Sequence, residues 1–151
     1  MSIPIEHLRS ALNVDEPDYP GLTRLGAKIA PQLLQLAQTR DAYIAANAVS
    51  LAGMIPGSAM LPVIQAGARS TIPQVRSAAA AALHQSKTPG AAQVLAPLLN
   101  DQDKSVRKFA IAAAGRRPTA VVAETLGEIS VGDPEPALRA MAAAALRRYR
   151  S

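Results

Sequence analysis

Large and small apolar residues alternate here in a nine-residue pattern that returns four times, at a spacing of 31 or 32. The runs are Tyr43 to Leu51, Val75 to Leu83, Val106 to Ala114 and Leu138 to Leu146, each with a large first residue and small residues in the middle. A unit of this length cannot bury its apolar face alone, so the copies must stack. Between the runs lie partner segments: Ala30 to Ala37, Ser58 to Ala68, Gly90 to Leu99 and Thr119 to Ile129. In these, Leu95, Leu98 and Leu99, or Val122, Leu126 and Ile129, have the three-and-four spacing of one apolar helix face. Pro56-Gly57, Pro89-Gly90 and Arg117-Pro118 close the first three runs with turn signals. Pro31, Pro62 and Pro97 begin or kink the partner helices.

The pattern predicts an all-α fold, an alpha-alpha superhelix: a right-handed solenoid of four helix pairs at about 27–53, 57–85, 89–116 and 119–150. Residues 1–26 do not match the repeat. Ile5, Leu8 and Leu12 make a short amphipathic stripe, and Asp15 to Pro20 (DEPDYP) is too rich in proline and acid to continue a helix. They read as a degenerate helical cap, since the terminal unit of a solenoid must turn one face to water.

The stretch PLLNDQDKSVRKFAIAAAG, Pro97 to Gly115, resembles the short HEAT-like repeat of phycobilin lyase subunits and many bacterial scaffold proteins. The resemblance implies a stacking ladder between an Asp in the turn within each pair and an Arg after the first apolar residue of the second helix. Asp101 and Asp133 match the Asp; Arg76, Arg107 and Arg139 match the Arg. Ile44 and Gln38 depart from it in the first repeat and Ser70 in the second, so a complete ladder is expected only in the last two. Tetratricopeptide repeats need aromatic residues that this chain, with three Tyr, one Phe and no Trp, does not supply. Ankyrin repeats would show more than the lone partial match Thr88-Pro89-Gly90.

Composition narrows the chemistry. Without cysteine there is neither disulfide framework nor thiolate site. The first residues carry Glu6, His7 and Arg9 where a signal peptide would be apolar, and no apolar run approaches bilayer length. A cytoplasmic protein with no membrane insertion is expected. HEAT-like dinuclear iron hydroxylases need repeated His-Glu pairs; only His7 and His84 are present, neither followed by Glu. Glu124 and Glu128 share a helix face but read as a solvated pair. No catalytic, cofactor-binding or metal-ligating residue is assigned.

Net charge is +5, unevenly spread: residues 1–50 hold four basic and five acidic side chains, 51–100 three and none, 101–151 nine and six. Part of the excess forms a basic edge of Lys104, Arg116, Arg117, Arg148 and Arg150. Positions three and seven of each run, and the one after its ninth, point away from the core, which nominates Ala45, Val49, Ser77, Ala81, His84, Lys108, Ala112 and Arg147 for a concave face. That face carries too few cations and no stacking aromatics for a nucleic-acid groove. It favours a protein partner, a helix or a second copy of the chain. The expected function is a noncatalytic scaffold or adaptor, with an accessory subunit of a chromophore lyase or other modifying enzyme, and nucleic-acid binding through the basic edge, as alternatives.

Overall fold

The computed structural model describes residues 3–86, 88–117 and 119–150, the last without its side chain. Ten α-helices occur among them: α1 (Ile5–Leu12), α2 (Tyr19–Thr23), α3 (Ala30–Ala37), α4 (Ala42–Met54), α5 (Leu61–Ala68), α6 (Pro73–Gln85), α7 (Ala91–Leu98), α8 (Lys104–Ala114), α9 (Ala120–Gly132) and α10 (Pro136–Arg150). From α3 onward they form pairs, the odd-numbered helices in one layer and the even-numbered in the other.

Local chemistry sets the boundaries. Asp41 and Asp103 each accept two backbone N–H groups at the starts of α4 and α8, and Thr119 accepts from Val122 at the start of α9. Pro31 and Pro62 sit in the first turns of α3 and α5, where a missing N–H costs nothing. Pro97 lies in the last turn of α7, which ends one residue later. Gly90 holds φ +90 ahead of α7, a conformation a side chain would strain.

A continuous core runs between the layers, from Leu8 and Leu12 through Leu33, Leu51, Ile64, Leu83, Leu95 and Ile111 to Leu126 and Leu138. The even-numbered layer packs more intimately than the odd one. At its closest, a Cβ on Gly53 of α4 would stand 2.6 Å from the Ala82 Cβ of α6. Small residues thus let α4 and α6 approach closely.

Helices α4 and α6 start at residues 42 and 73 and end at 54 and 85, so their offset is 31 (73 − 42 = 85 − 54). The nine-residue pattern aligns Tyr43 with Val75 at 32; structurally Ile44 takes that place, buried as Val75 is. One residue rotates a helix by about 100°. Ala45 and Val49, expected on the concave face, are therefore fully buried, and so is Ala52. The side chain of Val49 fills the space beside Gly67 of α5. The first-repeat counterparts of Ser70 and Arg76 become Thr39 and Ala45, in place of Gln38 and Ile44.

Candidate functional site

One edge of the stack carries a polar ladder. Arg76 donates from Nε and Nη2 to the two carboxylate oxygens of Asp101 at 2.8 and 3.1 Å, and Arg107 does the same to Asp133 at 2.8 and 3.2 Å. Each arginine reaches forward to the aspartate of the following repeat. Its Nη1 reaches back to a carbonyl in its own turn: Ser70 for Arg76, Asp101 for Arg107, Asp133 for Arg139. Because only the backbone of residue 70 is used, Ser70 in place of Asp does not break the second repeat's rung. The completed rungs join repeats two to three and three to four.

Burial alone would raise the Asp101 and Asp133 carboxyls; the hydrogen bonds from Arg76 and Arg107, with those from the Asp103 and Glu135 N–H groups, hold both below the usual carboxylate range. The hydrogen bond to Asp101 raises Arg76 further. This edge is a stacking device.

The basic edge does not stay together as free charge. Arg117 is half-buried; its Nε donates to the Leu83 carbonyl at 2.8 Å, closing the last turn of α6, and burial followed by the neighbouring Arg116 lowers its pKa. Cationic capping of a helix carboxyl end explains it without a ligand. Lys104 lies 4.0 Å from Glu135. Arg116 and Arg148 are exposed, and the side chain of Arg150 falls outside the described part.

The solvent face of the even-numbered layer is built from α6, α8 and α10. Ala112, Lys108 and Arg147 are exposed, and Ser77, Ala81 and His84 are half-buried. Sequence reasoning missed the largest residue on it, Phe109 of α8, which is 42% exposed. Its counterparts are Ala78 and Met141 (109 − 31 and 109 + 32), both half-buried. The signal was present: Phe109 is the chain's sole Phe, at the fourth place of its run, which was assigned neither to core nor to groove. In the first repeat the same layer shows Tyr43 and Met54, at 38% and 36% exposure. Tyr43 OH donates to the Val14 carbonyl and Asn47 Nδ2 to the Leu12 carbonyl at 2.9 Å, so the segment between α1 and α2 lies along α4.

The larger hollows open on the opposite layer. One of 610 Å³ lies between α7 and α9, lined by Ala92, Ala96, Pro97, Val121, Val122 and Thr125, and one of 520 Å³ lies between α3 and α5. A hollow of 290 Å³ on the even-numbered side joins Lys104 and Lys108 to Glu135 and Leu138. His7 is exposed on α1, and among the described residues no three His, Cys, Asp or Glu side chains are grouped as metal ligands would be. No described helix is long and apolar enough to cross a membrane.

A family model described as HEAT repeats matches residues 30–114. No curated protein matches in sequence. Among solved structures, a chain from the complex of CpcE and CpcF of phycocyanin lyase from Nostoc sp. PCC7120 is similar over 93% of this chain and 96% of its own, with a TM-score of 0.76 and 24% identity. A designed armadillo repeat protein in complex with the peptide (KR)4 is similar over 96% and 81%, with a TM-score of 0.55 and 16% identity.

Proposed function

The chain belongs to the HEAT-repeat family, and we propose that it is a noncatalytic adaptor that holds a protein segment against the exposed face of α6, α8 and α10. The observation that carries this reading is Phe109: a large aromatic side chain, 42% exposed, on a face that also carries several small residues. Leaving such a ring in water forgoes its burial, roughly 1.5–3 kcal/mol when complete. Aromatic anchors of this kind dominate binding energies in interfaces. The same layer offers Ala81, Ala112 and Ala140, which let a partner backbone approach closely, and the cations Lys108, Arg116 and Arg147, with Glu135 the acid beside Lys104. The complementary segment is an amphipathic helix with an apolar stripe and acidic flanks.

The test uses three synthetic amphipathic helices that share an apolar stripe and carry acidic, neutral or basic polar faces, with binding followed by fluorescence anisotropy. The acidic peptide is expected to bind best. Phe109→Ser, or Ala81→Glu with Ala112→Glu, is expected to weaken it about tenfold or more while helicity is retained. Equal binding of all three peptides, or indifference to Phe109, would refute the proposal.

A second reading, an accessory subunit of a modifying enzyme, draws support from the nearly end-to-end likeness to a chain of the phycocyanin lyase complex. It is compatible with the adaptor role, since an accessory subunit also works by holding a partner.

A further inference from the structure

The ladder stops short of the first repeat, and a hollow opens where its rung would be. Between repeats three and four the slot along the polar edge is 330 Å³ and is lined by the paired Arg107 and Asp133, with Glu128 in its wall. The equivalent slot between repeats one and two measures 520 Å³. Ala45 and Ser70 take the places of Arg107 and Asp133 there (107 − 62 and 133 − 63), so both members of the ion pair are gone.

The turns around this slot have also changed the sign of their charge. In repeats three and four the turn within the pair carries two acids, Asp101 with Asp103 and Asp133 with Glu135. In repeat two the same places hold Ser70 and Ile72, and Arg69 precedes them. Arg40, from the turn of repeat one, lines the hollow with Arg69; both are exposed, and neither has an ion-pair partner among the described residues. Asp41 beside Arg40 is already used, its carboxylate accepting from the Tyr43 and Ile44 N–H groups, and it does not line the hollow. No other described acid lines it either. Leu34, Pro62, Ala66 and Ile72 supply an apolar part of the wall, and the Ser70 hydroxyl, which accepts from the Ile72 N–H, keeps its proton to donate.

We infer that this hollow receives a carboxylate side chain from an extended acidic segment of a protein partner, with Arg40 and Arg69 as counter-charges and a neighbouring apolar side chain against the apolar wall. Two later seams of the same edge hold a carboxylate of the chain itself in an arginine fork; here the cations are present and the acid must come from outside. A space of 520 Å³ exceeds one carboxylate, so the occupant brings apolar bulk with its charge. The hollow lies between α3 and α5, apart from the face that displays Phe109, so the two readings fail independently.

The test titrates blocked peptides of alternating Leu and Glu, Leu and Gln, or Leu and Lys into the full chain by calorimetry, each too short to form the helix proposed for the Phe109 face. Only the Glu peptide is expected to bind, shifting the amide resonances of Ala66 and Thr71 and leaving those of Phe109 and Ala112 in place. Arg40→Ala and Arg69→Ala should each weaken it about tenfold. Ala66→Leu, which fills the hollow without changing its charge, should do the same, and Phe109→Ser should not. Circular dichroism checks that each variant keeps its helicity. Absence of binding, equal binding of the Gln peptide, or indifference to both arginines would overturn the proposal. So would indifference to Ala66→Leu, which would mean diffuse attraction in place of an occupied hollow. Displacement of the peptide by an equal concentration of inorganic phosphate or glutarate would make this a site for free anions. Self-association abolished by Arg69→Ala would assign the hollow to a second copy, through its exposed Val14, Asp15 and Glu16. Either result would overturn the assignment to a partner.

Discussion

Replacing Arg107 by alanine isolates the energetics of the ladder. The side chains of Arg107 and Asp133 are 13% and 3% exposed, and the pair is bidentate at 2.8 and 3.2 Å. Truncating the arginine leaves a buried carboxylate whose remaining donor is the Glu135 N–H at 2.9 Å, with the Arg139 charge nearby. Losing one partner of a buried pair costs about 3 kcal/mol, mainly through the charge left uncompensated. At roughly 2–4 °C per kcal/mol for a chain of this size, Tm should fall by about 10 °C at pH 7.

The sign of the pH dependence separates this mechanism from lost packing. In the native chain the Asp133 carboxyl lies below its ordinary 3.8, so its contribution is present above that value and is lost as pH falls through the lower, folded pKa. Without Arg107 the hydrogen bond disappears, burial is opposed only by the Glu135 N–H and the Arg139 charge, and the same carboxyl takes up its proton at a higher pH than in the native chain. The gap in Tm between native and variant chains should therefore narrow as pH drops from 7 toward 3. Thermal melts followed by circular dichroism would check this. A gap that is absent at pH 7, or that stays constant down to pH 3, would refute the reasoning.

Two glycines give opposite expectations by the same measurement. Gly53→Ala places a Cβ 2.8 Å from the Ala82 Cα, a backbone atom that cannot step aside, and should destabilise by about 1–3 kcal/mol as α4 and α6 are forced apart. Gly127→Ala, in mid-helix with open space around it, should stabilise by roughly 0.5–1 kcal/mol in urea titration; a loss instead would mean that the α9 surface is already covered.

The helix pairs were legible in the sequence because turn residues and the 31-residue return agree. Register in the first repeat was not: Tyr43 and Ile44 are both large enough to open the run, and only packing decides that Ile44 goes inward while Tyr43 reaches the Val14 carbonyl. The Asp and Arg residues of the ladder could be placed from the family pattern. Their pairing across repeats could not, because a pattern repeated along a chain does not say which copy answers which. The partner of Arg117 is the Leu83 carbonyl, 34 residues earlier, a separation that no local charge pattern reveals. Phe109 was not legible, because a repeat pattern marks the residues that recur and Phe109 occurs once.

The bond from Arg117 to Leu83 also has a mechanical meaning. It ties the carboxyl end of α6, while Arg76 ties the amino end of the same helix to Asp101. Seven residues from Arg76 to Leu83 span about 10 Å of helix, so repeats two and three are laced at both ends of a short plate. A plate held in this way resists hinging and twisting alike. The surface that displays Phe109 is thus set before any partner arrives, and little of the binding free energy is lost to ordering it.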